Sequence, residues 1–462
     1  MTDTATTRGS DTDAGHGPEP RPRARRVHVG RIVTASMTSG LVAAIVLVTG
    51  PFAGAQEHVI TGTVLLAFGS AWAALAHLSI RLTDQPQRWA FAPAAAMTVA
   101  GLAILLLAPT GNPLGWVWPP AVLVLVAWMA RRSRLGLRSR TRAFVLCPVF
   151  VVLALAAVGG AYETYRESND PTRNAMPGRL VSVGDHALHI DCAGTGSPTV
   201  VLLAGLGEPS PMMSAWVAPG VAASTRVCIY DRAGRGWSEA ADGPQDGAEL
   251  AADLRTLLRN AGEAGPFVLA GHSAGGIYAL DFAGLHPHDT AGVVLLDSMH
   301  PRQYELLPSW PGFYELFRRA SAVMPSLARL GVGRAVYDTQ FDDLPDAQRD
   351  AERAFLASPR HNRSVRDEFR MIRAAMDQAA EVETLGALPL AVVTAERGAE
   401  NGWLPMQEDL ATLSSDSVQH VFPDATHAMV VQDEATARRS ASVIVDVVTA
   451  VRNGTRLDGR DA

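Results

Sequence analysis

At 462 residues the chain exceeds one ordinary domain, and 48% hydrophobic residues with a mean hydropathy of +0.09 is high for a wholly soluble protein. Charge divides it: through Asp170 there are 15 Arg against nine Asp and Glu, a net of +6, so the formal −6 of the whole leaves −12 for the rest. A strongly acidic remainder argues against nucleic-acid binding, and neither the three Cys nor the scattered His fall at metal-ligand spacing, so no metal or cofactor is expected.

Residues 1–30 are polar, rich in Pro and Gly, and end in Arg21, Arg23, Arg25 and Arg26, which reads as a disordered basic tail. A transmembrane region of about five helices is expected over 31–163, with apolar stretches near 32–55, 58–80, 89–109, 114–130 and 143–162, each close to the ~20 residues that cross a bilayer. Arg31 precedes the first stretch, Arg81 and Arg88 follow the second, and six Arg between 131 and 142 follow the fourth, whereas the other two loops carry none. The positive-inside rule then sets the amino terminus in the cytoplasm, and an odd number of crossings puts the remainder outside. The fourth stretch is the shortest and holds Pro119-Pro120. His77, alone inside a span, reads as a packing residue or a helix-to-helix hydrogen bond, so the region reads as an anchor or assembly surface.

A linker is expected over 164–178, where Pro171 and Pro177 punctuate a polar run. From 179 to 452 short apolar runs at 180–183, 187–192, 199–204, 226–230, 267–270, 292–296, 390–394 and 418–422 alternate with helical periodicity at 248–261 and 436–451. That alternation predicts a doubly wound, mostly parallel sheet of the α/β class, and 453–462 is left as a tail.

The organising stretch is 267–277, FVLAGHSAGGI. A strand running into Gly271-His272-Ser273-Ala274-Gly275 and on into a helix puts the serine on a sharp turn with its hydroxyl exposed above the sheet. Together with VVLLAGLG at 200–207, YDRAGRGWS at 230–238, VVLLDSMHP at 293–301 and Thr426-His427, this run resembles the motifs of α/β-hydrolase-fold enzymes in their order. The resemblance covers about 180–450 and implies a serine-acid-histidine triad, an oxyanion hole and a helical lid, here expected over 302–387.

The residue chemistry agrees with that carry-over. Ser273 needs a base to become a nucleophile, and His427, on a loop between a strand and a helix, is the candidate. The resemblance implies oxyanion donors at the backbone N–H groups of Leu206 and Ala274. Glu208 beside that loop would oppose a developing negative charge unless it faces solvent or pairs with an Arg. The segment 230–238 is read as a structured turn with Asp231 paired to Arg232. The triad acid departs from the commonest family pattern: the seventh strand runs on into Ala395-Glu396-Arg397-Gly398 with no Asp, so Asp297, directly after the sixth strand, is favoured over Glu396.

The function expected is a multi-pass membrane-anchored serine hydrolase, cleaving a small or lipid-like carboxylic ester (less readily an amide) through an acyl-enzyme outside the cytoplasm. An acyltransferase using the same triad, or a silent binding protein on a hydrolase scaffold, are the alternatives. An Asp-nucleophile dehalogenase or epoxide hydrolase is disfavoured by Ser at the elbow. Aromatic residues in the lid (Tyr304, Trp310, Phe313, Tyr314 and Phe317) suit an apolar substrate moiety or simply seat the lid on the core. The sheet order of the family makes the strands of Cys192 and Cys228 neighbours, so a disulfide between them is expected in an oxidising compartment, with Cys147 free.

Overall fold

The computed structural model describes residues 1–2, 28–109, 114–136 and 146–457. Most of the basic tail, part of the Arg-rich loop after residue 136 and the last five residues lie outside that range. Among the described residues five α-helices come first: α1 (Val29–Thr49), α2 (Glu57–Leu82), α3 (Phe91–Leu107), α4 (Trp118–Gly136) and α5 (Cys147–Arg173). Small residues line several of their contacts, and many large apolar side chains stand outside, with Val99, Leu106, Val124, Val152 and Leu155 between 64% and 82% exposed. Close approach makes the small residues necessary: a Cβ on Gly62 of α2 would stand 2.6 Å from Leu105 Cγ and 2.9 Å from Gly101 O of α3.

α1, α2, α3 with its 3₁₀ lead-in from Arg88, and α5 are each long and apolar enough to cross a membrane. α4, expected as the fourth span, is not among them, because Arg131, Arg132 and Arg134 occupy its last turns. It nevertheless runs the length of the bundle. Trp118 at its start fills the space beside Gly160 of α5, while Met129 near its end packs with Ile32, Trp72, Leu75 and Phe150. His77 is exposed on the bundle surface and takes neither expected role, since the buried side of α2 is formed by Trp72, Leu75, Ala76 and Ser79.

The expected linker is shorter than the sequence suggested, because α5 continues as helix to Arg173 with Pro171 in its last turn. Long-range ion pairs account for the extension. Glu163 and Asp170, two turns apart on one face, both accept from the buried Arg334 at 2.6–3.1 Å.

Beyond it an eight-stranded sheet runs in the order β1-β2-β4-β3-β5-β6-β7-β8. β1 (Arg179–Ser182) and β2 (Ala187–Ala193) form an antiparallel hairpin, β2 pairs antiparallel with β4 (Val227–Tyr230), and the rest are parallel: β3 (Val200–Leu203), β5 (Phe267–His272), β6 (Thr290–Leu296), β7 (Leu390–Ala395) and β8 (Ser417–Phe422). Helices α6 (Gly247–Ala261) and α7 (Ala274–Leu285) precede the insertion between β6 and β7. The insertion holds α8 (Trp310–Arg329), α9 (Val332–Tyr337), α10 (Asp346–Ala357) and α11 (Pro359–Ala379), and α12 (Trp403–Ala411) and α13 (Glu434–Asn453) follow it. Two apolar layers, one on each face of the sheet, bury β3 and β5 to β7 completely, as a doubly covered parallel sheet requires. The chain past 453 is not a free tail throughout: Leu457 is buried in one of these layers and its N–H donates to Asp416 Oδ1 at 2.7 Å.

Cys192 and Cys228 stand opposite each other on β2 and β4 and form a disulfide, while Cys147 is free and exposed.

The insertion also sits on the helical bundle. Glu57, the first residue of α2, pairs with Arg329 of α8 and Arg363 of α11, and Thr61 shares a 2.7 Å hydrogen bond with Ser326. Arg81 lies about 36 Å further along α2. The Arg-bearing helix ends are therefore at the far end of the bundle from the sheet domain.

Candidate active site

Ser273 directly follows β5 with φ of 53°, a region that non-glycine residues rarely enter, and the helix α7 starts at the next residue. The flanking glycines are sterically required, since a Cβ on Gly271 would collide with the Gly275 backbone and one on Gly275 with Leu203 O. Ser273 is half-buried. Its backbone is tied to the end of β6: its N–H donates to Leu296 O at 3.2 Å, and its carbonyl accepts from Met299 N–H at 3.0 Å.

Asp297 follows Leu296 and also has positive φ, 45°. Its Oδ2 accepts from His427 Nδ1 at 2.6 Å, and its Oδ1 accepts from Ala395 N–H and Trp403 Nε1–H, both at 2.9 Å. The carboxylate is thus buried and held on both oxygens, with the half-exposed imidazole of His427 at one of them. Glu396 is exposed at the end of β7, and its neighbour Arg397 turns to Met429 Sδ rather than to it. The structure therefore brings Asp297, and not Glu396, to His427.

The loop after β3 is clamped at almost every backbone group. Gly205 N–H donates to Glu208 Oε2 at 2.8 Å, Gly207 N–H donates to Glu368 Oε2 at 2.8 Å, and Gly207 O accepts from His361 Nε2 at 2.9 Å. Burial and the nearby Arg235 pull His361 down to about 3, so it donates as a neutral imidazole. Arg232 donates to Ala204 O at 2.7 Å and to Gly205 O at 2.6 Å. In a trans peptide C=O and N–H point oppositely, so holding Gly205 O orients the Leu206 N–H. Among the described residues, neither Leu206 N–H nor Ala274 N–H donates a hydrogen bond. A Cβ on Gly205 would lie 3.1 Å from Ser273 Cβ, so this loop runs beside the serine.

Two readings of single residues are corrected. Asp231 does not pair with Arg232; it accepts from buried His189 at 2.8 Å and from Ser210 N–H at 2.7 Å, while Arg232 turns to the β3 loop and to Glu368 at 2.8 Å. A buried carboxylate and a buried guanidinium each need several partners, and each finds them in other elements. Glu208 neither faces solvent alone nor meets an Arg: His272 Nδ1 is 3.0 Å from its Oε2. Burial alone would raise the Glu208 carboxyl, but the His272 charge and hydrogen bond and the Gly205 N–H outweigh it and bring it down to about 2. Burial lowers His272, and Glu208 more than compensates, so His272 is raised.

Arg232, Glu368 and Trp403 were not singled out for this site from sequence. Arg232 lay inside a motif that was read as a turn, but Glu368, 136 residues from Arg232, sits in a helical run with nothing to set it apart.

The model of the α/β hydrolase family matches residues 200–439, and the chain belongs to that family. An uncharacterized protein of Schizosaccharomyces pombe is 30% identical over 153 residues, 27% of this chain and 29% of that one. The uncharacterized YbdG of Bacillus subtilis is 28% identical over 165 residues, 35% of this chain and 50% of its own. The chain thus matches half or less of the length of these relatives. Among solved structures, a Pseudomonas aeruginosa protein described as an epoxide hydrolase superposes with a TM-score of 0.50 at 17% identity, over 60% of this chain and 97% of its own, a likeness of fold alone.

Proposed function

We propose that the protein is a serine hydrolase that cleaves a carboxylic ester through an acyl-enzyme, with Ser273 as nucleophile, His427 as base and Asp297 as the acid. The observation that carries this reading is the 2.6 Å contact from His427 Nδ1 to a carboxylate whose other oxygen is doubly held, since it leaves Nε2 as the free nitrogen for a serine proton. Ser273 Oγ attacks the ester carbonyl as Nε2 takes its proton. The N–H groups of Leu206 and Ala274 receive the oxyanion, and the same imidazole returns the proton to the leaving alcohol. Water then repeats the sequence on the acyl-enzyme and releases the acid.

We also propose that the five helices cross a membrane and set the sheet domain outside the cytoplasm. Counting α4 as a crossing gives an odd number, the Arg-bearing ends lie at the far end of the bundle, and a disulfide suits an oxidising compartment. The test of the chemistry is labelling of the purified full chain by a fluorophosphonate. Wild type should label, Ser273→Ala should not, and an unlabelled wild type would overturn the proposal.

A further inference from the structure

His272 precedes the candidate nucleophile and is fully buried, yet the triad chemistry makes no use of it. Both of its ring nitrogens face oxygen acceptors: Nδ1 faces Glu208 Oε2 at 3.0 Å, and Nε2 faces the main-chain carbonyl of His427 at 3.4 Å. Neither oxygen donates, because the carbonyl has no proton and Glu208, whose carboxyl is brought down to about 2, is a carboxylate whose Oε2 also accepts from Gly205 N–H. An imidazole that serves two acceptors carries two protons. The His272 ring also stacks on the His427 ring, with centroids 4.7 Å apart and planes at 29°.

We infer that His272 is a resident imidazolium paired with Glu208, and that the two together set the basicity of His427 by placing one fixed positive and one fixed negative charge beside it. This rests on His427 being the base. His427 faces Asp297 at its Nδ1, His272 across its ring face and Glu208 behind His272; His272 faces Glu208 and His427, with Asp297 further off. A second positive charge on His427 is opposed by His272 and favoured by Asp297 and Glu208. Glu208, whose charge would otherwise work against an oxyanion beside Gly205, is balanced within the site. His272 and Glu208 are accordingly positioning residues that act through His427.

The sign of the effect follows. The acid limb of kcat/KM reports protonation of the free base. Removing the positive charge by His272→Gln leaves Glu208 unopposed, which raises the affinity of His427 for a proton and moves the acid limb up by about one pH unit. Removing the negative charge by Glu208→Gln also removes what keeps the buried imidazole charged, so both charges are lost together and the limb moves much less than in His272→Gln. A purely structural role would lower kcat in both variants with the limb unmoved.

The experiment is a pH profile of kcat/KM on a water-soluble short-chain ester for the full-length wild type and the two variants, with ¹⁵N spectra of histidine-labelled wild type. An upward displacement in His272→Gln that Glu208→Gln does not reproduce, together with one histidine, identified by its absence in His272→Gln, that keeps both ring protons at pH 8 in wild type, bears the inference out. A limb displaced upward as far in Glu208→Gln as in His272→Gln, an unmoved limb in His272→Gln, or a His272 signal that titrates near 6.5 would overturn it. The spectra need no turnover, so an inactive wild type would sink the hydrolase reading while leaving the protonation state of His272 separately decided.

Discussion

The helical bundle and the sheet domain solve burial in opposite ways. In the bundle small residues such as Gly62 and Gly101 let the helices approach around an apolar centre that holds Trp72 and Met129, while many other large apolar side chains, Val152 and Leu155 among them, stand exposed. In the sheet domain the large apolar side chains fill two layers, and the inside also holds a charged cluster of Arg232, Arg235 and Glu368 next to the serine turn. One region's outer surface suits an apolar solvent and the other's suits water. Beside the serine turn buried charge orients backbone groups, and in the bundle the buried charges, Glu57 and Glu163, are those that meet the lid. Ion pairs with both partners buried occur beside the serine turn, as in Arg232 with Glu368, and at the junction between the two regions, as in Arg334 with Glu163.

That contrast can be tested at both places. The largest effect is expected in the sheet domain: Asp297→Asn should lower turnover of a soluble ester by about 10⁴-fold with the fold intact, read as kcat alongside a thermal melt. If Glu396→Gln had that effect and Asp297→Asn did not, the assignment of the acid would fail. At the junction, Glu163→Gln leaves Arg334 buried with one charge partner fewer, and should destabilise the docking of lid on bundle by about 3–5 kcal/mol, measured as loss of protease protection of 300–380 in nanodiscs. The double change Glu163→Gln with Arg334→Met should recover much of that loss; no recovery would mean that the pair is not the fastening. The smallest of the three is Cys192→Ser with Cys228→Ser, which opens a bridge between residues 36 apart and should cost the sheet domain about 3–4 kcal/mol, read from its denaturant midpoint with the bundle unaffected.

The same contrast explains what could be read from sequence. Strands and serine turn were legible because a buried parallel sheet writes continuous apolar runs, and Asp297 was legible because it directly follows one of them. Its partner His427 was found through the order of motifs. The clamps on the 204–207 loop were not: Glu368 reaches Arg232 and Gly207 from a helix 136 and 161 residues away, and no local period announces such a meeting. The continuation of α5 to Arg173 was hidden for the same reason, since the guanidinium that stabilises its last two turns belongs to residue 334. In the bundle the apolar stretches were plain, but the end of α4 was not, because a helix can carry its Arg residues past the apolar run.

The junction has one more consequence. Arg363 and Glu368 belong to a single helix, and that helix is fastened to the bundle by the first and to the loop beside the serine by the second. On the membrane reading, the sheet domain is not a head swinging on a tether but a seated one, with the serine at a constant height above the bilayer and a constant side turned towards it. A compound dissolved in the medium then has to arrive from an open quarter, while anything carried in the plane of the membrane comes up against the same edge of the protein each time. On that reading the collision geometry of the enzyme is two-dimensional, and it rests on Glu57, Arg329 and Arg363, which meet at the junction and not at the serine.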